Sequence, residues 1–294
     1  MRLTSRDLAL IGAVYRFRVL RRAQIQQMLF PSKNTANQRL MLLHAHGYLA
    51  RRRLPVEYGQ GSGQALYLLG GRGASLLADR WGLDPAEIGW RRSQNHVSSL
   101  FLEHTLMVNE VRLAVELACQ RDGHTIEAWL REDELRAAPD RVWIETDDGP
   151  SRQVTLVPDA YLRLIAGRRR ASFFLEADRS TETGARWAAK VRAYLAYVRS
   201  GAYLRRYGSN CLRVLVVATS QRRMENLLRT TARVCDPRSR RLFWFTSLEQ
   251  VAYDTVLAAP IWRLPATDES APLLVREASP TPTPHPIPRL LFRT

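Results

Sequence analysis

Between residues 97 and 262 the apolar pattern changes period in a fixed order, and that order restricts the fold more than any other feature of the chain. A long stretch at helical spacing, "HVSSLFLEHTLMVNEVRLAVELACQ", sets Leu102, Leu106, Val108, Leu113, Val115 and Leu117 on one wide face and predicts a helix. Three strand-like runs follow, "HTIEAWL", "VTLVPDAYLRLI" and "ASFFLEAD", the last two joined by a turn at "GRRR". A helix "TGARWAAKVRAYLAYVR", a strand "CLRVLVVAT", a helix "SQRRMENLLRTTARVC", a short strand "RLFWFTS" and a last helix "LEQVAYDTVLAA" complete the series. Elements in this order build an α/β (α+β) sandwich around one sheet. Three strands in succession before the first crossover helix argue against a purely parallel sheet, so the predicted central sheet is mixed.

The residues ahead of this series follow another plan. "TSRDLALIGAVYRF" opens on Thr4 or Ser5 as N-cap and places Leu8, Ile11, Ala13, Val14 and Phe17 near one helical face. A short amphipathic segment, "RRAQIQQMLF", stops at Pro31, and Ser32 caps a third helix in "KNTANQRLMLLHAHGYL" that ends at Gly47. The apolar stripe of that helix is expected at Leu40, Leu42 and Leu43, which leaves Lys33, Asn34, Asn37, Gln38 and Arg39 for another surface. Those side chains suit base edges and phosphates in a major groove. Two strand-like runs, "YLARRRLPV" and "QALYLL", flank the Gly-rich "EYGQGSG" and predict a β-ribbon with Arg51, Arg52 and Arg53 at its root.

This order of helix, helix, third helix and basic hairpin resembles the winged helix-turn-helix family over residues 1 to 80. The resemblance implies a third helix in the major groove, with the three arginines against the backbone or the adjacent groove. A protein-interaction or dimerisation module is the competing reading of the same order. The expected organisation is therefore a winged-helix domain at 1–80, a connector at 81–96, the α/β domain at 97–262 and a Pro-rich tail at 263–294 without fixed structure. Leu290, Leu291 and Phe292 offer that tail a short docking motif for a protein partner. Residues 132–152, acidic and turn-rich, read as a solvated excursion between strands, with an acidic flap over a site as the alternative.

Charge points to a polyanion. The formal net charge is +16, and residues 1–92 hold 15 basic against 5 acidic residues, whereas residues 93–294 hold 29 against 23. Such a surface concentrates nucleic acid by releasing condensed counterions. No window approaches a membrane span, and the N-terminus lacks the apolar core and cleavage site of a signal peptide, so the expected location is cytoplasmic with no membrane partner. Cys119, Cys211 and Cys235 are odd in number and widely spaced, which gives no disulfide framework or zinc pattern and predicts buried reduced thiols. The chain shows no P-loop, no Gly-x-Gly-x-x-Gly and no hydrolase triad spacing.

Pro158 and Asp159 on one strand, with Glu176, Ala177 and Asp178 on the next, resemble the PD-(D/E)xK nuclease superfamily, also called the restriction-endonuclease-like fold. The resemblance implies carboxylates of Asp159, Glu176 and Asp178 converging on Mg²⁺ or Mn²⁺, with Glu110 of the preceding helix as a further acid. Two carboxylates on neighbouring strands suit such a cation, which takes hard oxygen ligands and keeps waters for chemistry. Where that superfamily expects Lys this chain has Asp178. Some members carry the lysine on the following helix, and that helix holds Lys190, one of only two lysines beside 42 arginines. Lys190 is accordingly expected to point back over the strand end and orient water or stabilise transition-state charge.

The two halves together, through "HTLMVNEVRLAV", "VPDAYLRL", "FFLEADRSTE" and "KVRAYLAY" in sequence, resemble the replication-relaxation family of plasmid and integrative-element proteins. The implied function is binding of double-stranded DNA in replication or relaxation of a mobile element. Two alternatives stay open: a metal-dependent endonuclease or nickase acting through Asp159, Glu176, Asp178 and Lys190, and a winged-helix transcriptional regulator on a silent nuclease-like scaffold. A two-fold-symmetric target would favour a homodimer.

Overall fold

The computed structural model describes residues 1–54, 63–146, 149–265, 267 and 269–274. The described backbone divides into two compact units, the first ending at Asn109 and the second beginning at Glu110.

In the first unit the order is α1 (Ser5–Phe17), β1 (Val19–Arg21), α2 (Arg22–Leu29), α3 (Lys33–Ala45), β2 (Leu49–Arg53), β3 (Ala65–Leu69) and α4 (Gly71–Trp81). The three strands form an antiparallel sheet in the order β1-β3-β2. Thr4 caps α1 in a reciprocal capping box with Asp7, and Ser32 caps α3 by accepting from the Thr35 N–H. Helix α3 buries Ala36, Leu40 and Leu43, a clean i, i+4, i+7 stripe, while Leu42 stands 42% exposed rather than in the expected core face.

Two elements escape sequence patterning. Strand β1 is three residues long, too short to show a period, and α4 begins Gly-Arg-Gly, a poor start by helix propensity. Gly73 is explained by close approach, because a Cβ there would lie 2.3 Å from the Tyr48 carbonyl oxygen. Residues 55–62 of the expected β-ribbon tip lie outside the described residues.

Helix α5 (Ser99–Asp122) starts inside this unit. Its Leu102 and Leu106 pack with Val19, Leu66 and Leu68 of the sheet. Asn109, buried, donates from Nδ2 to the carbonyls of Phe17 at 3.0 Å and Val19 at 2.7 Å, satisfying both the amide and the strand end. Packing of this kind groups residues 97–109 with the N-terminal elements, whereas helical periodicity alone starts the second domain at 97.

The second unit continues with β4 (Thr125–Arg131), α6 (Glu132–Ala137), β5 (Asp140–Thr146), β6 (Gly149–Leu156), β7 (Ala160–Ala166) and β8 (Arg169–Asp178). After these come α7 (Gly184–Arg199), α8 (Ala202–Tyr207), β9 (Leu212–Ala218), α9 (Gln221–Val234), β10 (Phe243–Ser247), β11 (Trp262–Arg263) and β12 (Ser270–Ala271). Seven strands form one sheet in the order β12-β11-β10-β9-β8-β7-β4, parallel at β8/β9 and β9/β10 and antiparallel elsewhere. The sheet is mixed, as the strand succession predicts. Phe174, Val214, Val216, Phe243 and Phe245 of the strands meet Trp187, Val191, Tyr194 and Tyr197 of α7 and Met224 and Leu227 of α9 in the main core.

Three local expectations change. The acidic segment is no bare excursion: α6 and a β5/β6 hairpin occupy it, and Leu135, Val142, Ile144 and Leu156 join the main core while Trp143 faces out. The single strand expected over "VTLVPDAYLRLI" is two, because Pro158 has no N–H for a ladder and separates β6 from β7. The last helix is absent: a 3-10 turn at Leu248–Gln250 is followed by turns in which the Thr255 hydroxyl bonds the Gln250 carbonyl that a helix would use.

The sheet then extends into the residues read as a Pro-rich tail. Strands β11 and β12 pair, Leu273 is buried and its carbonyl accepts from Arg213 Nη1 at 3.0 Å. Residues 275–294, with Leu290, Leu291 and Phe292, lie outside the described residues. Cys119 and Cys235 are buried free thiols, whereas Cys211 is exposed. No helix among the described residues is long and apolar enough to cross a membrane.

Candidate functional site

Strand β8 is buried along most of its length, so any polar side chain on its core face needs a partner. Alternation puts Phe174, Glu176 and Asp178 on one face, and the first of these lies in the main core beneath α7. Glu176, 3% exposed, finds its partners on that helix: Oε2 accepts from Lys190 Nζ at 2.9 Å and Oε1 from the Tyr194 hydroxyl. Lys190 and Tyr194 are four residues apart and therefore share a helical face. Lys190 also stands 3.7 Å from Glu182, and 31% of its side chain remains exposed.

Asp159 enters from the bend just before β7, the neighbouring strand. Its N–H donates to the Leu175 carbonyl at 3.0 Å, and its Oδ2 accepts from the Ala177 N–H at 2.7 Å, which clamps the carboxylate beside Glu176. Glu132, at the start of α6, brings a carboxylate oxygen within 4.8 Å of one of Asp159. Sequence reasoning left Glu132 in the acidic excursion; the only signal for it was the flap reading of that segment.

Electrostatics follow from burial. Burial pushes the Glu176 carboxyl up, to about 7, and Asp159 adds to the rise, while Lys190 and the Tyr194 hydroxyl pull it down. Lys190 is held above the ordinary lysine range: burial opposes its charge, but Glu176, Asp159 and Glu182 outweigh it. Tyr194, wholly buried, is held well above the ordinary tyrosine range by burial and by Glu176.

Asp178 has a different environment. Arg223 of α9 donates to it through Nε at 2.7 Å and Nη2 at 2.9 Å, and the Ser180 N–H at 2.8 Å adds a third bond. The same guanidinium donates to the Glu182 carbonyl. Asp178 therefore pins the start of α9 to the end of β8, and nothing in the local sequence around Arg223 signals that role. Glu110 lies half-buried on α5.

The donor set decides what a divalent cation would find. Asp159 and Glu132 bring hard carboxylate oxygens close together, as Mg²⁺ or Mn²⁺ requires, with Glu132 also accepting from Arg136 through Oε1. Glu176 offers oxygens already bonded to an ammonium and a phenol, and Asp178 is bidentate to Arg223, so these two do not fit as primary ligands in this arrangement.

In the first unit Lys33, Asn34, Asn37 and Gln38 are exposed on α3, and Arg51 and Arg53 are exposed on β2. Two of the expected contact residues have internal work. Arg39 makes a bidentate pair with buried Asp7 and donates to the Arg2 carbonyl at 3.0 Å. Arg52 donates from Nη1 to the carbonyls of Asn95 at 2.9 Å and Val97 at 2.7 Å.

These features define an α/β protein whose mixed sheet carries a buried carboxylate, lysine and tyrosine cluster at the C-terminal ends of its parallel strands. The chain belongs to the replication-relaxation family, whose model matches residues 11–212. Membership gives it a DNA-related role in replication. No curated protein matches it. Among solved structures, the restriction endonuclease FokI is similar at 12% identity with a TM-score of 0.29, over 84% of this chain and 42% of that one. The DNA-bound structure of FokI is similar at 12% identity with a TM-score of 0.25, over 83% and 43%. The chain thus spans less than half the length of these structures, and likenesses this remote carry no functional argument.

Proposed function

We propose that this chain is a double-stranded-DNA-binding protein of a plasmid or other mobile element, and that its first unit is a winged helix that grips the duplex. The observation that carries this reading is the exposed polar face of α3, Lys33, Asn34, Asn37 and Gln38, in a unit that also exposes Arg51 and Arg53 on β2. Each apolar position of α3 that turns inward is sealed, and Asp7 holds Arg39 so that the helix is braced against α1. Amides and a lysine near the N-terminal half of a helix suit base edges and phosphates. The Arg51→Ala, Arg53→Ala double variant is expected to bind duplex more weakly and to lower the slope of log K against log salt by about 2, since each phosphate contact contributes about 0.9. Titration of a labelled duplex at several salt concentrations measures this, and an unaltered slope would remove the wing from the interface.

A second reading, metal-dependent cleavage of DNA, is favoured by the 2.9 Å contact of Lys190 with Glu176 beside Asp159. Carboxylate oxygens of Asp159 and Glu132 would hold Mg²⁺ or Mn²⁺, whose chemistry is to polarise a phosphodiester and acidify a bound water. Lys190, with its proton held well past neutrality, acts as a fixed positive charge for developing phosphorane oxygens and not as a base. Tyr194 stays protonated and buried, which suits a donor that orients Glu176 and rules it out as a nucleophile in this conformation. Supercoiled plasmid incubated with Mg²⁺ or Mn²⁺, against EDTA and against Asp159→Asn, tests the reading. Metal-dependent nicking that disappears in the variant is the expected result for an enzyme. Intact supercoils in every tube, with tight salt-sensitive binding, would leave a silent scaffold and the regulator reading.

A further inference from the structure

The net charge of residues 93–294 conceals a sharp segregation. Residues 93–183 hold 11 basic and 16 acidic side chains, whereas residues 184–241 hold 14 basic and 2 acidic ones. A general preference for arginine would scatter charge; here the excess falls on α7, α8 and α9 and the turns that join and follow them, with Arg213 on β9. That stretch is more basic per residue than the first 92 residues.

Helix α9 shows how the excess is displayed. Met224, Leu227 and Thr231 face the core, and Arg222, Arg229 and Arg233 are exposed on the other side. Spacings of seven and four residues bring the three arginines within a narrow sector of the helix, in a stripe about 16 Å long. Two of them bond neutral side chains: Arg229 bonds Asn226, and Arg233 bonds Thr230 at 3.4 Å. The two acids of the segment are engaged by other groups. Glu225 pairs with Arg263 at 3.6 Å, and Asp236 accepts from Arg199 at 2.9 Å and from Ser239. Helix α7 lies alongside, tied to α9 by a hydrogen bond from Trp187 Nε1 to Thr231 at 2.9 Å, and its exposed Arg186 and Arg199 are held by Glu182 at 3.6 Å and Asp236 at 2.9 Å.

We propose that the exposed face of α9, through Arg222, Arg229 and Arg233, is a second DNA-binding surface that takes the phosphate backbone of a duplex without reading its sequence. Duplex DNA presents a charge about every 1.7 Å along its axis, so a stripe of this length meets several phosphates at once. Guanidinium forks suit phosphate oxygens. The stripe also has a direction. Its N-terminal end is Arg222, next to Arg223, which holds Asp178 two residues beyond Glu176 on β8. A backbone lying along the stripe is led toward the carboxylate cluster, which by its own charge would repel DNA. The surface serves either reading of the second unit, as a feed to a catalytic site or as a clamp on DNA held by the first unit.

The test uses the full chain and a 30-base-pair duplex of arbitrary sequence. The Arg222→Ala, Arg229→Ala, Arg233→Ala variant, with its melting temperature checked against the parent, is expected to lower the salt slope by about 2 to 3 and the affinity about 10- to 100-fold in 0.1 M salt. The Arg222→Lys, Arg229→Lys, Arg233→Lys variant is expected to retain most of the slope, because charge and not shape carries a nonspecific contact. A parental slope in the alanine variant would overturn the inference. So would an equal loss in the lysine variant, or a variant that loses binding to phosphatidylglycerol vesicles but not to duplex. Failure here stays separate from failure of the first-unit reading: a slope lowered by Arg51→Ala, Arg53→Ala but not by the α9 variant keeps the winged helix and removes this surface.

Discussion

Asp7→Ala is expected to destabilise the first unit by about 3–5 kcal/mol, the usual cost of stranding one member of a buried ion pair. Asp7 is fully buried, accepts both arms of the Arg39 guanidinium, and closes the capping box of α1 through the Thr4 N–H and hydroxyl. Its removal leaves Arg39 without a counter-charge, takes away the reciprocal half of the α1 capping box while the Thr4 hydroxyl keeps the backbone N–H of residue 7, and costs α3 its brace. Weaker duplex binding should accompany the loss. Replacing both partners by apolar residues, Asp7→Leu with Arg39→Met, is expected to recover much of the stability, because no orphaned charge remains.

The pH dependence carries a definite sign. Burial alone would raise the Asp7 carboxyl, but hydrogen bonds from Arg39 and Thr4 outweigh it and hold the group below its ordinary 3.8. A carboxyl lowered by folding adds stability that is present above the unfolded value and vanishes as pH falls through the folded one. The parent should therefore lose stability on acidification below about pH 4, and Asp7→Ala should lose less over the same interval. Denaturant melts between pH 2 and pH 7 measure both effects. A parental melt in Asp7→Ala at neutral pH would show that the pair contributes nothing net.

Lys190→Ala is expected to cost the second unit about 3 kcal/mol at pH 8 and clearly less at pH 5. The cost lies at the low end for a buried pair because nearly a third of the lysine side chain meets solvent. Without the ammonium, Glu176 faces only the Tyr194 hydroxyl and the repelling Asp159. Burial already raises the Glu176 carboxyl from its ordinary 4.5 to about 7, and loss of the cation raises it further. A carboxyl raised by folding favours the fold on acidification, between the unfolded and folded values, so protonation relieves the variant at pH 5. Lys190 itself, raised by folding, contributes across the neutral range and loses that contribution only in strong alkali. Urea melts of Lys190→Ala at the two pH values decide the matter. Equal losses at both would assign the effect to lost side-chain packing and not to the charge pairing with Glu176.

Asp178, two residues after Glu176 on the same face of β8, has a task of its own. The cation reaches Glu176 from α7, four residues before Tyr194, while Asp178 turns to Arg223 and fastens α9 to the strand end. One position cannot serve both tasks. A lysine at 178 would face the guanidinium of Arg223 with like charge.

Local period determined what the sequence alone could: the existence of α1, α3, α5, α7 and α9 and of strands β8 and β9, and from their succession a mixed sheet with a basic helical domain ahead of it. The family resemblance was legible for the same reason, since its signatures lie within single elements. Elements without a period stayed hidden. Strand β1 is too short, α4 opens on glycines of which Gly73 makes room for the Tyr48 carbonyl, and β11 and β12 are two-residue pieces that continue the sheet from the edge of β10. The choice among polar partners also belonged to the tertiary structure. Sequence grouped Arg39 and Arg52 with Arg51 and Arg53 as DNA contacts, yet Arg39 meets an acid 32 residues away and Arg52 carbonyls 43 and 45 residues away. Lys190 could be singled out by rarity, but Arg223 reaches Asp178 across 45 residues and Glu132 reaches Asp159 only through the fold. Burial is written locally because each side chain's hydrophobicity is its own; pairing of charges depends on distance, and distance between remote residues exists only after the chain has packed.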